Sequence, residues 1–239
     1  MESEIQKLNL CLNCRRRLRT CVCEKLKSFD TDSRFVILMH PMEYKKEKVG
    51  TGRFTHLILK NSLVFVDVSF DQNQAFQKIL QDPEYKTFIL YPGDRPIDLS
   101  ADEVDLGEKK SQFIIIDGTW PCAKKMMKLT TCLHSLPRVS FKTDRLSEFK
   151  VKHQPLPGCL STVESVHQLI LDLNRLGIEK TAGAEENLMD VFRSTVEKQI
   201  ELSLDPERRS YRQKPFTLPE NRKISKKYLD RLIFFRSNG

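Results

Sequence analysis

The sequence predicts an α/β fold, a mainly parallel sheet flanked by helices, with a small metal-binding motif ahead of it. Three observations predict this. Short apolar, β-branched runs alternate with helix-like stretches from residue 34 to about residue 200, the pattern of βα units. One run, Phe113-Ile114-Ile115-Ile116, stops at Asp117-Gly118-Thr119-Trp120 and passes into Pro121-Cys122-Ala123-Lys124-Lys125-Met126-Met127. That is a strand, a tight glycine turn, and a helix with proline near its start. Four of the seven cysteines crowd together as Cys11, Cys14, Cys21 and Cys23. In open α/β sheets ligands sit at the carboxyl ends of strands, so Asp117, Thr119 and Trp120 are the first candidates for chemistry. A structural reading stands beside it: Thr119 caps the helix and Trp120, the only tryptophan, fills core.

Taken in order, the chain opens with the spacing C-x2-C-x6-C-x-C. In a reducing compartment this favours one zinc ion over disulfides or free thiols. Four thiolates close a tetrahedron and leave no open position, so such a zinc is structural. Between the cysteine pairs, Arg15, Arg16, Arg17 and Arg19 form a basic loop suited to phosphates. Arg34–Met39 is the first strand, ending in His40-Pro41-Met42-Glu43; His40 reads as a strand-end histidine bonded to backbone. Gly50-Thr51-Gly52-Arg53 enters a helix, with Thr51 as a possible cap and the glycines allowing close approach of a ligand. Residues 62–68 form a second strand, 72–81 a helix, and 87–91 a third strand ending in Pro92-Gly93-Asp94. A polar connection over 100–110 leads to the strand that carries Asp117. Residues 135–141 form a short strand. Ser161 with Glu164 three residues on is a capping-box pattern, opening a helix that stops at Gly177. A last amphipathic helix covers about 185–202, and the tail 205–239 is rich in Lys and Arg. Three strands thus end in polar clusters, His40/Glu43, Asp94 and Asp117/Thr119, which a parallel sheet gathers along one edge.

The 239 residues carry a net charge of +8 with a pI near 9.1, which points to a polyanionic partner such as RNA. No apolar run approaches the ~20 residues of a membrane helix, and the N-terminus lacks a signal-peptide core. The expected location is the cytoplasm. The expected divisions are a cysteine motif over 1–28, a catalytic domain over 29–204 and a basic extension over 205–239.

Several stretches together resemble the DTW-domain family: the cysteine cluster, His40-Pro41-x-Glu43, Thr51-Gly52-Arg53, Tyr91-Pro92-Gly93, Asp117-Gly118-Thr119-Trp120, Leu136-Pro137-Arg138-Val139, and Gln154-Pro155 leading into Leu160-Ser161-Thr162-x-Glu164. An ordered set is far more specific than any one motif. One departure is Ser147-Glu148-Phe149, where members often carry Ser-Arg-Tyr. The resemblance implies a SPOUT-like fold with a C-terminal trefoil knot. It also implies transfer of the 3-amino-3-carboxypropyl group of S-adenosylmethionine to N3 of a tRNA uridine. On that basis Asp117, Thr119 and Trp120 are the expected catalytic residues. Tyr91, Pro92, Gly93, Asp117, Leu136, Pro137, Leu160, Ser161, Thr162 and Glu164 are expected around S-adenosylmethionine. Arg15, Arg16, Arg17, Arg19, Arg53, Lys124 and Lys125 are expected on RNA, and the four cysteines on zinc. An aminocarboxypropyltransferase acting on ribosomal RNA, a SPOUT-type RNA methyltransferase and a non-catalytic zinc-containing RNA-binding protein are the alternatives.

Overall fold

The computed structural model describes residues 9–46, 50–93, 95–143, 145–150 and 159–204. Asp94 and the tail 205–239 lie outside them. Six strands form one sheet: β1 Arg34–Met39, β2 Ser62–Val66, β3 Tyr85–Leu90, β4 Ile97–Asp98, β5 Lys110–Asp117 and β6 Arg138–Ser140. Their order is β2-β1-β5-β3-β6-β4, and every pairing is parallel. The helices are α1 Pro41–Lys46, α2 Thr51–Ile58, α3 Gln74–Leu80, α4 Trp120–Leu129, α5 Thr162–Arg175 and α6 Glu186–Leu204. None among the described residues is long and apolar enough to cross a membrane.

Both faces of the sheet are covered, which is why its central strands are continuous apolar runs. On one face Phe35, Phe113, Ile115, Phe88 and Val139 pack against α2, α5 and α6. On the other, Val36, Leu38, Ile114 and Ile89 pack against Phe76 of α3 and Met126 and Met127 of α4. The register aligns Phe35, Phe113 and Phe88 across three strands, with neighbouring ring centroids 6.0 and 5.7 Å apart. Each such buried ring contributes about 1.5–3 kcal/mol, so the centre of the sheet is the firm part of the scaffold. The cysteine motif joins the first face: Cys14 and Val22 belong to the same core as α2, α5 and α6.

Several boundaries differ from the sequence reading. The helix at residue 51 starts with Thr51 itself, and Gly50 is its N-cap; Thr51 is inside the helix, not capping it. The helix expected over 72–81 starts at Gln74, because the Asn73 side chain accepts the Phe76 amide at 3.0 Å. β4 and α1 are additional; the first has two residues and the second six. α5 ends as expected: Gly177 has φ +73°, and Ile178 returns a 2.9 Å bond to the Leu173 carbonyl.

Candidate active site

The carboxyl ends of β1 and β5 are tied directly, the His40 amide donating to the Asp117 carbonyl at 2.9 Å. His40 is buried, and its Nδ1 accepts the Met42 amide at 3.2 Å. Its ring therefore serves the turn into α1. Asp117, only 4% exposed, is the point where four elements meet. Thr162, the first residue of α5, donates its hydroxyl to Asp117 Oδ1 at 2.5 Å. Against the other oxygen lies Gly52 in the first turn of α2. A Cβ on Gly52 would fall 2.5 Å from Asp117 Oδ2 and 2.7 Å from Cγ. The missing side chain is filled by the protein's own carboxylate rather than by a ligand. Gly118 is likewise a matter of space: its Cβ would meet Cys122 Cβ at 3.2 Å and His40 Cβ at 3.5 Å. Its φ is not in the left-handed region.

Thr119 is the exposed N-cap residue of α4, with no capping bond from its side chain. Trp120 opens the helix, its ring 6.5 Å from that of Tyr91 at the end of β3. Arg138 also lies over Tyr91, its Cζ 5.8 Å from the ring centroid, and Nη1 donates to the Pro92 carbonyl at 3.0 Å. A Cβ on Gly93 would fall within bonding distance of that Nη1, at 1.8 Å. Burial pushes the Tyr91 phenol up, with Arg138 opposing it. Leu136 and Pro137 lead directly into Arg138, so the structure brings the Tyr91-Pro92-Gly93 and Leu136-Pro137 stretches together beside Trp120.

Glu164, also 4% exposed, completes the capping box at Ser161. Its Oε2 accepts the Ser161 amide at 2.8 Å, the Ser161 hydroxyl at 2.5 Å and the Ser147 hydroxyl at 2.8 Å. Its Oε1 accepts the Glu148 amide at 2.7 Å. The carboxylate is saturated by the protein and acts by holding the 145–149 loop onto α5. The family departure at Glu148 is also explained. Arg193 of α6 binds that carboxylate at 2.7 and 3.0 Å and is the main reason its pKa is lowered. Phe149 is buried edge-on against Phe192 at 5.3 Å. Leu160 is half-buried just before the cap.

The four cysteine sulfurs lie within 4.8 Å of one another, with Cys11–Cys23 at 3.5 Å and Cys14–Cys21 at 3.7 Å. A tetrahedral zinc with bonds of about 2.3 Å spaces its sulfurs roughly 3.8 Å apart, so the set is compatible with that ion. Burial opposes ionisation of Cys11, but the Cys14 and Asn13 amides outweigh it and hold the thiol at about 7. Burial and the neighbouring thiols push Cys23 up to about 12. Metal ligation requires thiolates, so a bound cation would offset that cost.

A cleft separates this motif from the end of β1, lined by Arg15, Arg16, Glu43, Gly50 and Arg53 among others. Tyr44 of α1 contacts two guanidiniums, with Arg15 Cζ 5.2 Å and Arg53 Cζ 4.8 Å from its ring centroid. Arg15 donates to its hydroxyl and Arg53 to its carbonyl at 3.1 Å. Burial and then the Arg15 charge lower the Arg53 pKa, while Tyr44, Cys14 and Asp117 oppose them. Arg16 Nη1 is buried without a partner among the described residues. Arg17, Arg19, Lys124 and Lys125 are exposed, the lysines on α4 beyond Trp120.

The family described as DTW domain matches residues 8–200. This chain belongs to the DTW-domain family. It is 33% identical over 169 residues to "tRNA-uridine aminocarboxypropyltransferase 2" of Drosophila melanogaster, covering 68% of this chain and 65% of the relative. Proteins of the same name from Macaca fascicularis and Mus musculus are each 27% identical, covering 64% of this chain and 53% of theirs. The chain thus spans between about half and two thirds of the length of these DTW-domain relatives. No solved structure gives a significant match. Within the DTW domain the sequence reading missed Tyr44 and Arg138 as parts of the site. Arg138 stood inside a quoted motif, yet nothing local signals that Gly93 makes room for it.

Proposed function

We propose that this chain is a tRNA-uridine aminocarboxypropyltransferase. It moves the 3-amino-3-carboxypropyl group of S-adenosylmethionine to N3 of a tRNA uridine and releases methylthioadenosine. The observation that carries the reading is the bond between buried Asp117 and Thr162 at the carboxyl end of β5, in a DTW domain whose relatives bear that name. S-adenosylmethionine supplies a Cγ already activated by its sulfonium. The N3–Cγ bond forms, the S–Cγ bond breaks with its electron pair going to sulfur, and the N3 proton leaves to a base. The protein must place N3 in line with Cγ rather than with the methyl group.

In this reading Asp117 is the base, and the Thr162 hydroxyl on Oδ1 orients its carboxylate. Thr119 hydrogen-bonds the uracil and Trp120 stacks on a base. Tyr91, Pro92, Gly93, Leu136, Pro137, Leu160, Ser161 and Thr162 line the S-adenosylmethionine site, and Glu164 shapes it through the cap. Arg15, Arg16, Arg53, Arg17, Arg19, Lys124 and Lys125 face the tRNA. Because N3 is occupied in a paired base, the target uridine is unpaired or flipped out. Cys11, Cys14, Cys21 and Cys23 hold one structural Zn²⁺. A cytoplasmic location and a SPOUT-like, knotted fold belong to the same reading.

The test is purified protein, unmodified tRNA and S-adenosylmethionine, with mass spectrometry of the nucleosides and the small-molecule product. Aminocarboxypropyluridine with methylthioadenosine is expected. S-adenosylhomocysteine with a methylated nucleoside would overturn the reading in favour of methyl transfer, and no product with bound tRNA would leave an RNA-binding protein.

A further inference from the structure

Of the two arginines carried by the strands themselves, Arg34 at the amino edge pairs with Asp82 at 2.9 Å. Arg138 at the start of β6 has no carboxylate partner among the described residues. It is nonetheless held in place. Register sets it beside Ile89 of β3, the Pro92 carbonyl takes one Nη1 proton at 3.0 Å, and the Tyr91 ring lies under the guanidinium. Gly93 is the residue whose missing Cβ lets it lie there. An oriented guanidinium, half-buried and with no acid beside it among the described residues, is a receptor for an oxyanion: of its five donors in a planar fork, one is accounted for among those residues.

We infer that Arg138 binds the α-carboxylate of the S-adenosylmethionine being consumed, and so fixes the arm that is transferred. This rests on the proposed reaction. The location favours the carboxylate over an RNA phosphate, because Arg138 is embedded between the two stretches assigned to S-adenosylmethionine, Tyr91-Pro92-Gly93 and Leu136-Pro137. Arg53, another half-buried guanidinium near the site, is already engaged with Tyr44, through its carbonyl at 3.1 Å and its ring. The inference also assigns a specificity role. A methyltransferase needs the aminocarboxypropyl arm only as a handle, whereas here the arm carries the reacting Cγ, and gripping its charged end leaves Cγ between two fixed points.

The experiment compares wild type, Arg138→Gln and Arg138→Lys by calorimetric titration with S-adenosylmethionine and with methylthioadenosine, which lacks the arm. Arg138→Gln is expected to weaken S-adenosylmethionine binding about 10- to 100-fold, the span of one charge-assisted hydrogen bond, and to leave methylthioadenosine binding within about twofold. Arg138→Lys is expected to recover part of the loss, since it keeps the charge but not the fork. Equal weakening toward both ligands would overturn the inference in favour of a merely structural role on Tyr91. Unchanged S-adenosylmethionine binding with a tRNA salt slope reduced by about one would overturn it in favour of a phosphate contact. If wild type binds neither small molecule, the proposed reaction itself fails, and the variants are not needed to show it.

Discussion

Gly52→Ala tests the geometry on which the site depends. The new methyl would sit 2.5 Å from Asp117 Oδ2 and 2.7 Å from its Cγ, and ordinary contact begins near 3.4 Å. Asp117 is fixed at the end of β5, paired with Met39 of β1, so the backbone cannot retreat with the sheet's core behind it. Two responses remain. The contact is absorbed as strain, about 1–3 kcal/mol for one added methyl in a packed site. Alternatively the carboxylate swings away and gives up the 2.5 Å bond from Thr162, about 1.5–3 kcal/mol for a charged acceptor. The molecule takes the cheaper, so the cost is about 1–3 kcal/mol, or a fall in Tm of roughly 2–12 °C for a domain this size. A shift of the carboxylate by close to 1 Å should also slow turnover by about 10²-fold. Thermal unfolding and single-turnover transfer measure the two effects. Thr162→Val removes the same bond without the clash, so the double variant should cost less than the sum of the two. A Gly52→Ala protein with wild-type Tm and wild-type turnover, or strict additivity with Thr162→Val, would refute the packing of Asp117 against α2.

The remaining predictions use other parts of the molecule. Asp117→Asn should fold and keep most S-adenosylmethionine affinity while losing ~10²–10⁴-fold in turnover; a near wild-type single-turnover rate would remove Asp117 as base and leave Glu43 as the next candidate. Elemental analysis of protein purified without chelator should find one zinc per chain, and Cys14→Ser should lose it and weaken tRNA binding more than S-adenosylmethionine binding; metal-free wild type with full tRNA affinity would sink this. Burial disfavours the Asp71 carboxylate, but amide and hydroxyl donors at Thr131 and Cys132 outweigh it and hold its pKa at about 2. Because the folded value lies below the unfolded one, its stabilisation is complete above about pH 4 and is lost as pH falls toward 2; Asp71→Asn should therefore be less stable than wild type at neutral pH, with the gap closing at pH 2, and a gap that stays constant in acid would contradict the assignment. tRNA affinity should fall steeply with salt, and Arg17→Gln with Arg19→Gln should reduce that slope by about two. Truncation at residue 204 removes the basic tail outside the described residues, and an unchanged slope would take the tail off the RNA surface.

What could be read from the sequence followed from how local its cause is. β1 and β5 were legible because a strand buried on both faces must be apolar at every position, as Phe35 to Met39 and Phe113 to Ile116 are. The Ser161–Glu164 cap was legible because its partners are three residues apart, and so was Gly177, whose left-handed φ closes a helix within its own turn. β4 was not legible: two residues carry no periodicity, and Ile97-Asp98 is a strand only because β6 lies beside it.

The site glycines show the same limit at the level of chemistry. Sequence reasoning takes Gly52 as backbone made bare for a ligand, which is the usual meaning of glycine in a basic loop, and the resemblance puts Gly93 beside S-adenosylmethionine. Neither has the left-handed φ that would demand glycine on conformational grounds. Each is bare because a distant residue needs the volume, Asp117 in one case and Arg138 in the other. The two charged groups so accommodated lie at the end of β5 and the start of β6, the strands on either side of β3. An anion and a cation positioned by separate steric allowances on strands flanking β3 suit a ligand that carries its reacting carbon between them. The Arg138 and Gly52 variants examine the two ends of that arrangement independently: one should move the affinity for S-adenosylmethionine, the other the rate of transfer.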